Sequence, residues 1–358
     1  MILFLADIHI GVKLKTRDFY NSLDVTFEMF KKECVINKEK PEAIIVCGDL
    51  FDHALNIDEM TIAAGILIKL ALNGCGDDIV KNIPVHIVEG TFSHDRHQMK
   101  IFMSLLKEIP HTNVFYYPEW CKVTFPSGKK ALMLPQEYGD IDYTEAFNDN
   151  YDLIVGHGPI SSKTKSVITA NGTEIMHSVE MLSNISKLCV FGHYHEYTDF
   201  GNGVYYAGSM LRFRYGEDTD KMIVMCNDNY EIITHKNPVA KEFKTIEVHD
   251  PEQLRDALST NIESPHRFVI HPKTEDDLRT YHAIMNTTKI NQNVKFKVIS
   301  DEQIDSVENQ FHEVEKVTTS SVIEPIPSLI DYISEKYKVD TEKEIREYES
   351  KIIKEENK

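Results

Sequence analysis

Apolar residues along the first 235 positions follow two alternating patterns. Short unbroken runs (Ile2–Leu5, Ala43–Cys47 and Pro84–Val88) are separated by stretches in which apolar side chains recur every three or four residues. Phe19, Leu23, Phe27, Phe30 and Cys34 make one such stripe. Ile62, Ile66, Leu67 and Leu70, within Met60–Leu72, make a second, and Met99–Leu106 holds a third. Unbroken runs read as strands buried on both faces, and stripes at helical spacing as helices with one buried face. The β-α-β-α-β order predicts a mainly parallel sheet with helices against it. Further runs at Val114–Tyr117, Lys122–Phe125, Ala131–Leu134, Leu153–Val155 and Leu188–Phe191 supply more strands. Residues 195–235 read as antiparallel, with Gly201-Asn-Gly203 turning the chain between Tyr197–Phe200 and Val204–Tyr206. The predicted fold class is α/β, a two-sheet sandwich flanked by helices.

Asn237-Pro238 marks a predicted boundary, so that residues 1–237 form the large domain. A second β-α-β-α-β pattern fills 238–300, with Phe243–Val248, Glu252–Leu258, Arg267–Ile270, Glu275–Met285 and Val294–Val298 as its elements. This predicts a small α/β domain. Residues 301–323 are polar and acidic and read as a linker. Residues 324–358 carry two helical patterns, Ile326–Lys336 and Thr341–Lys354. In the first, Pro325, Ile326, Leu329, Ile330 and Ile333 form an apolar stripe.

The 358 residues are 42% hydrophobic, enough for a sizeable core. No run reaches the roughly 18 apolar residues of a membrane span, so no membrane association is expected. The start, Met1 to Asp7, reads as a buried strand and not as a signal peptide. The six cysteines include no Cys-x-x-Cys pair, and a reducing cytoplasm is the expected compartment. The net charge of −18 bears on partners. Residues 1–235 carry 21 basic and 32 acidic residues, and the remainder is acidic too. A broad basic face for nucleic acid is therefore not expected on this chain by itself.

The chemistry lies in His and Asp residues placed just after the apolar runs. Asp7-Ile-His9 follows the first and Gly48-Asp49-Leu-Phe-Asp52 the second. Gly90-Thr-Phe-Ser93-His94-Asp95 follows the third. Gly156-His157-Gly-Pro159 and Gly192-His193-Tyr-His195 follow two later ones. Ligands of open α/β sheets bind at the carboxyl ends of the strands, so these side chains are expected to share one crevice. Asp-x-His and His-x-His each put two ligands on one side of an extended segment. Carboxylate with imidazole suits Mn²⁺, Fe²⁺ or Zn²⁺, and the lack of thiolate argues against a structural zinc. His53, His86, His97, His111, His177 and His235 lack this context and read as structural or surface residues.

Together and in this order, the five motifs resemble the calcineurin-like metallophosphoesterase superfamily over residues 1 to about 215. Asp7-Ile-His9-Ile-Gly11, Gly48-Asp-Leu-Phe-Asp52 and Tyr206-Ala-Gly-Ser209, followed by Arg212 and Gly216-Glu217, resemble its SbcD-type branch, the nuclease subunit of double-strand-break repair complexes. The chain also looks like tailed-phage versions of that subunit, which would place it in the host cytoplasm. The resemblance implies a metallophosphoesterase sandwich with a small capping domain and a helical, partner-binding tail. It implies two divalent metal ions, Mn²⁺ first, with Mg²⁺, Fe²⁺ or Zn²⁺ as alternatives. Asp7, His9, Asp49 and His195 would hold one, and Asp49 would bridge to a second held by His157 and His193. His94 would act at the scissile phosphate, with Asp95 orienting its ring. The implied activity is exonuclease and endonuclease cleavage of DNA in repair, recombination or replication. The implied partner is an SbcC-type coiled-coil ATPase, and a homodimer stays open.

One departure stands out. The family pattern reads Gly-Asn-His-Asp, and its Asn binds the second metal. Here the segment is two residues longer and lacks Asn. Ser93 is the substitute taken from the sequence, with Thr91 or water as the other fillers. Two other functions stay in view. One is a phosphatase or cyclic-nucleotide phosphodiesterase acting on a small substrate, which would suit the acidic charge. The other is a non-catalytic scaffold for the ATPase.

Overall fold

The computed structural model describes residues 1–12, 16–72, 83–109, 113–139, 141–161, 165–169, 172–259, 262, 265–287 and 294–299. The predicted linker and helical tail, 301–358, lie outside the described residues. In chain order the elements begin β1 (Ile2–Leu5), α1 (Thr16–Asn37), β2 (Ala43–Cys47), α2 (Ile57–Ala71), β3 (Val85–Val88), α3 (Phe92–Asp95), α4 (Met99–Lys107) and β4 (Val114–Tyr117). They continue β5 (Cys121–Thr124), β6 (Lys130–Leu134), α5 (Thr144–Phe147), β7 (Tyr151–His157), β8 (Ile160–Ser161), β9 (Lys165–Thr169), β10 (Gly172–Ser178), α6 (Val179–Ile185), β11 (Ser186–Gly192), β12 (Thr198–Asp199) and β13 (Val204–Tyr206). The last are β14 (Met222–Cys226), β15 (Ile232–Lys236), β16 (Lys244–Val248), α7 (Pro251–Ser259), β17 (His266–Ile270), α8 (Glu275–Thr287) and β18 (Val294–Val298).

Two six-stranded sheets carry the fold, in the orders β15-β14-β1-β2-β3-β4 and β12-β13-β11-β7-β6-β5. Strands β1 to β4 are parallel neighbours, and so are β6, β7, β11 and β13. Alternate residues of both sheets share one core: Ile2 and Phe4, Ala43, Ile45 and Cys47, Met133, Leu153 and Val155, Leu188 and Val190. Side chains of successive strand residues point to opposite faces. The intervening Leu3, Ile44, Val46 and Ile154 are fully buried as well, so both faces are covered, as the unbroken runs predict. Helix α1 turns the predicted stripe of Phe19, Leu23, Phe27, Phe30 and Cys34 inward. Strand β14 runs antiparallel beside β1, with Leu3 opposite Met225. The result is the predicted two-sheet α/β sandwich.

The described residues divide into two compact units, one within Met1–Ile246, Leu258–Phe268 and Lys289–Phe296, the other within Glu247–Ala257 and Val269–Thr288 with residues 297–299. The predicted β-α-β-α-β elements are present as β16 to β18 with α7 and α8. In the second unit Val248, Leu254, Ile270 and Tyr281 are fully buried. This division falls inside β16. Asn237 is itself buried, and its amide donates to Ser22 Oγ (2.8 Å) and the Met210 carbonyl (2.7 Å), which ties it into the first unit.

Candidate metal centre

Every strand end that the motifs follow delivers its side chain to the same end of the sandwich. Asp7 and His9 leave β1, Asp49 leaves β2 and Thr91 leaves β3; His157 closes β7, and His193 and His195 leave β11. The first two loops are stitched together by Asp7 N–H to the Gly48 carbonyl (3.2 Å), His9 N–H to the Asp49 carbonyl (3.1 Å) and Ile10 N–H to the Leu50 carbonyl (2.9 Å). The segments are not extended, as the Asp-x-His spacing predicted. Asp7 (φ 48°), His9 (φ 50°) and Asp49 (φ 49°) adopt left-handed backbone, and His193 sits at φ 112°. Non-glycine residues pay a steric penalty there, of order 1–3 kcal/mol each, and hold such conformations where surrounding structure enforces them. Two glycines make room for the ligands. A Cβ on Gly90 would lie 2.0 Å from the Asp49 nitrogen, and one on Gly192 would lie 2.1 Å from the Cys47 carbonyl oxygen.

Three overlapping groups of ligand atoms converge here: Asp7, His9 and His195; Asp7, Asp49 and His157; and His9, Asp52 and His94. The Nε2 atoms of His9 and His195 approach to 3.0 Å. Asp49 lies between the clusters, with Oδ1 3.2 Å from His157 Nε2 and Oδ2 3.9 Å from His9 Nε2. Asp7 accepts the His193 backbone N–H at 2.9 Å. The His193 ring stands perpendicular to that of His157, centroids 5.4 Å apart. Asp7, His9, Asp49, His157, His193 and His195 are thus brought together.

The outward nitrogens of three rings are fixed from behind. His157 Nδ1 bonds the Cys47 carbonyl (2.8 Å), His94 Nδ1 the Asp52 carbonyl (2.6 Å) and His195 Nδ1 the Glu217 carboxylate (3.0 Å). A nitrogen held as a donor in this way leaves Nε2 as the ligand atom and fixes the ring's direction. Burial pushes Asp7 up to about 7, with Asp49 adding to the shift against the pull of His157. Burial, the largest single effect, opposes charge on Asp49, but His157, together with His9 and His94, holds that carboxyl well below its usual range. His157 is correspondingly raised to about 9, Asp49 and Asp7 overcoming its burial. Burial lowers His9 and His193 to about 4, so both are neutral imidazoles at pH 7, the form that binds metal.

Three residues near the centre carried no assigned role in the sequence. Asp52 reaches His9 Nδ1 with Oδ1 (3.4 Å) and His53 Nδ1 with Oδ2 (3.1 Å), while its carbonyl holds His94. Glu217 is lowered to about 2: burial works against its charge, but His195 and Lys221 outweigh it. Lys221 Nζ in turn donates to Glu217 Oε2 (2.8 Å), the His195 carbonyl (2.7 Å) and Ser209 Oγ (2.9 Å). Both acids belonged to quoted motifs, so the signal was present without its geometry. Gln136 follows β6 with no local signal at all. Replacing Glu217 with Gln (Glu217→Gln) is expected to weaken metal binding roughly 10- to 100-fold, because the ring of His195 loses its anchoring carboxylate. Isothermal titration of Mn²⁺ into the variant checks this, and wild-type affinity would show that His195 is oriented without it.

Two sequence expectations meet a different geometry. Asp95, expected to orient the His94 ring, accepts backbone N–H groups instead, from Phe51 (2.9 Å) and Gly90 (2.7 Å). It is fully buried, and its role is to fix the loops after β2 and β3. Ser93, taken as the stand-in for the family Asn, is exposed on the short helix α3. The hydroxyl that faces the centre belongs to Thr91: its Oγ1 lies 3.4 Å from Asp49 Oδ2 and 3.3 Å from His157 Nε2. The two extra residues form part of α3, which carries Ser93 outward while the position after Gly90 keeps its place.

Imidazoles and carboxylates converging at buried strand ends, with His157 and His195 each held from behind by a second polar group, fit divalent cations of the Mn²⁺, Fe²⁺ or Zn²⁺ type. The profile of the calcineurin-like phosphoesterases matches residues 1–197, more than half of the chain. The chain belongs to that family. No curated protein matches it. As a calcineurin-like phosphoesterase it is a metal-dependent hydrolase of phosphoesters. In such sites the cations clamp phosphate oxygens and activate the attacking water. No described helix is long and apolar enough to cross a membrane. Chelation of the ions is expected to lower the melting temperature. An ion present at 100 times its Kd adds about 2.7 kcal/mol per site, and each kcal/mol is worth roughly 2–4 °C in a domain of this size. A calorimetric scan with EDTA should therefore show a drop of several degrees that Mn²⁺ reverses. Identical scans would mean that the ions do not bind the native fold tightly.

Proposed function

We propose that this phosphoesterase is a DNA nuclease of the SbcD type, a Mn²⁺-dependent exonuclease and endonuclease working in repair, recombination or replication with an SbcC-type coiled-coil ATPase. The observation that carries the reading is where the branch-specific motifs fall. Asp52 of Gly48-Asp-Leu-Phe-Asp52 holds His94 through its carbonyl and lies 3.4 Å from His9 Nδ1, and Glu217 of Gly216-Glu217 anchors His195. In the same motif series, Ser209 N–H bonds the His195 carbonyl (3.2 Å). Arg212 binds the carbonyls of Glu217 (2.9 Å), Thr219 (2.8 Å) and Ala240 (2.8 Å). The residues that resemble the nuclease branch are thus the ones that build the surroundings of the metal ligands. His94 donates Nδ1–H to the Asp52 carbonyl and keeps Nε2 for the phosphate oxygen, where it would steady developing charge or protonate the leaving group.

The charge of −18 favours the second reading, hydrolysis of a small phosphoester or cyclic nucleotide. In the nuclease reading the ATPase supplies the basic DNA-binding surface, and the stripe of Ile326, Leu329, Ile330 and Ile333 docks on it. One comparison separates the two. End-labelled duplex and single-stranded DNA, a chromogenic phosphodiester and a cyclic nucleotide are assayed with Mn²⁺, with and without the ATPase. Processive cleavage of DNA, raised by the ATPase with ATP, is the expected result. Turnover of the small substrates with intact DNA under every condition would overturn it.

A further inference from the structure

We propose that Gln136, together with Thr91, supplies the oxygen donors that the missing asparagine would give to the second metal ion. The inference rests on the metal-dependent chemistry of the family and not on the choice of DNA as substrate. The second ion's position is marked by Asp49 Oδ1 and His157 Nε2, 3.2 Å apart. Thr91 sits directly against both. Its N–H donates to Asp49 Oδ1 (2.6 Å), and its Oγ1 lies within 3.4 Å of Asp49 Oδ2 and 3.3 Å of His157 Nε2. A threonine hydroxyl is a weak neutral donor, and by itself it does not replace an amide carbonyl.

An amide carbonyl is nonetheless present, from a different part of the chain. Gln136 Oε1 lies 3.0 Å from Thr91 Oγ1. Gln136 comes two residues after β6, in the second sheet, and is almost fully buried. Its backbone N–H donates to the Glu89 carbonyl (3.3 Å), which ties its segment to the strand end that leads to Gly90 and Thr91. Gly158, next to His157, borders the Gln136 side chain, which lies 3.7 Å from where a Cβ there would stand and so flanks the segment that carries His157. A buried amide oxygen bonded to the hydroxyl that itself meets a carboxylate and an imidazole offers the donor chemistry that a divalent cation of the Mn²⁺ class accepts. The asparagine oxygen is thus divided between two residues. The position after Gly90 keeps a short hydroxyl, and the longer glutamine side chain, arriving from the opposite sheet, restores the carbonyl.

Mn²⁺ titrations of the full-length protein, without any substrate, test this. Stoichiometry and affinity are read by calorimetry and by the electron paramagnetic resonance of free Mn²⁺. The wild-type chain is expected to bind two ions. Gln136→Leu should keep the ion held by Asp7, His9 and His195 at wild-type affinity and bind the second at least about tenfold more weakly. Adding Thr91→Asn to that variant should restore the second ion, because the amide then returns to the position after Gly90. Gln136→Glu, which keeps the oxygen and adds charge, should bind the second ion more tightly than wild type, and it covers the case in which Gln136→Leu does not fold. Unchanged second-site affinity in Gln136→Leu, or in Gln136→Glu, overturns the proposal. A wild-type chain that saturates with one ion overturns it too. None of these outcomes depends on DNA cleavage, so failure of the nuclease reading would be seen separately.

Discussion

Asp49→Asn is expected to reduce phosphoester hydrolysis at least about 10³-fold, the upper scale for losing one preorganised charge-stabilising group, and to remove both metal ions together. Asp49 faces both ligand groups, with one oxygen toward His157 and the other toward His9. Its negative charge is what keeps His157 raised to about 9 and partly offsets the burial of His9. Two cations close together repel each other, and a carboxylate between them is the main compensation. Asn is the informative replacement. Position 49 has φ 49°, a left-handed backbone that Asn tolerates better than Ala, so the change isolates charge from strain. Elemental analysis of the purified variant should find less than one ion per chain. Two full equivalents would show that Asp49 bridges nothing.

His94→Ala is expected to cost about 10²- to 10⁴-fold in turnover, the range for a general acid or base, while both ions stay bound. The structure makes this a real test, because His94 also lies in a ligand-like group with His9 and Asp52. Its Nδ1 is held by the Asp52 carbonyl and its ring meets that of His9 edge-on at 4.9 Å. A metal ligand and a group acting on the phosphate would stand in much the same place. Metal content separates them: loss of an ion with the ring would make His94 a ligand. If the loss of activity is greater for a poor leaving group than for nitrophenolate, the ring acts by protonating the leaving oxygen.

Much of this site could be read along the chain because its ligands follow buried strands. A run such as Ala43–Cys47 announces itself by continuous hydrophobicity, and Asp49 just beyond it can only be near the sheet's end. The sequence was silent wherever the decisive fact was a partner far away. Nothing near Gln136 distinguishes it from a loop glutamine, since its neighbour Thr91 is 45 positions earlier. Ser93 directly precedes the histidine in sequence, but a helical turn of four residues rotates it outward, and chain proximity is not spatial proximity there. Asp95 likewise adjoins His94 in sequence but turns its carboxylate to the Phe51 and Gly90 N–H groups. The left-handed backbones of Asp7, His9 and Asp49 were also hidden, because the periodicity that reveals a strand ends with the strand. Strand β14 falls in the stretch 195–235 that reads only as antiparallel, and its place beside β1 depends on a pairing across more than 200 residues.

Ligands drawn from both sheets have a kinetic consequence. Asp7, His9, Asp49 and Thr91 come with the first sheet, and His157, His193, His195 and Gln136 with the second. Neither sheet alone presents more than half of the centre. An ion that needs ligands from both layers is expected to bind fully only once the two have docked, and if that docking follows the main folding barrier the ion takes no part in crossing it. Interactions absent from the transition state leave the folding rate nearly unchanged and slow unfolding instead. Bound metal would then act as a latch on the finished sandwich. It would lengthen the lifetime of the native protein without hastening its arrival, and any opening between the sheets would release the ions before the chain itself unravelled.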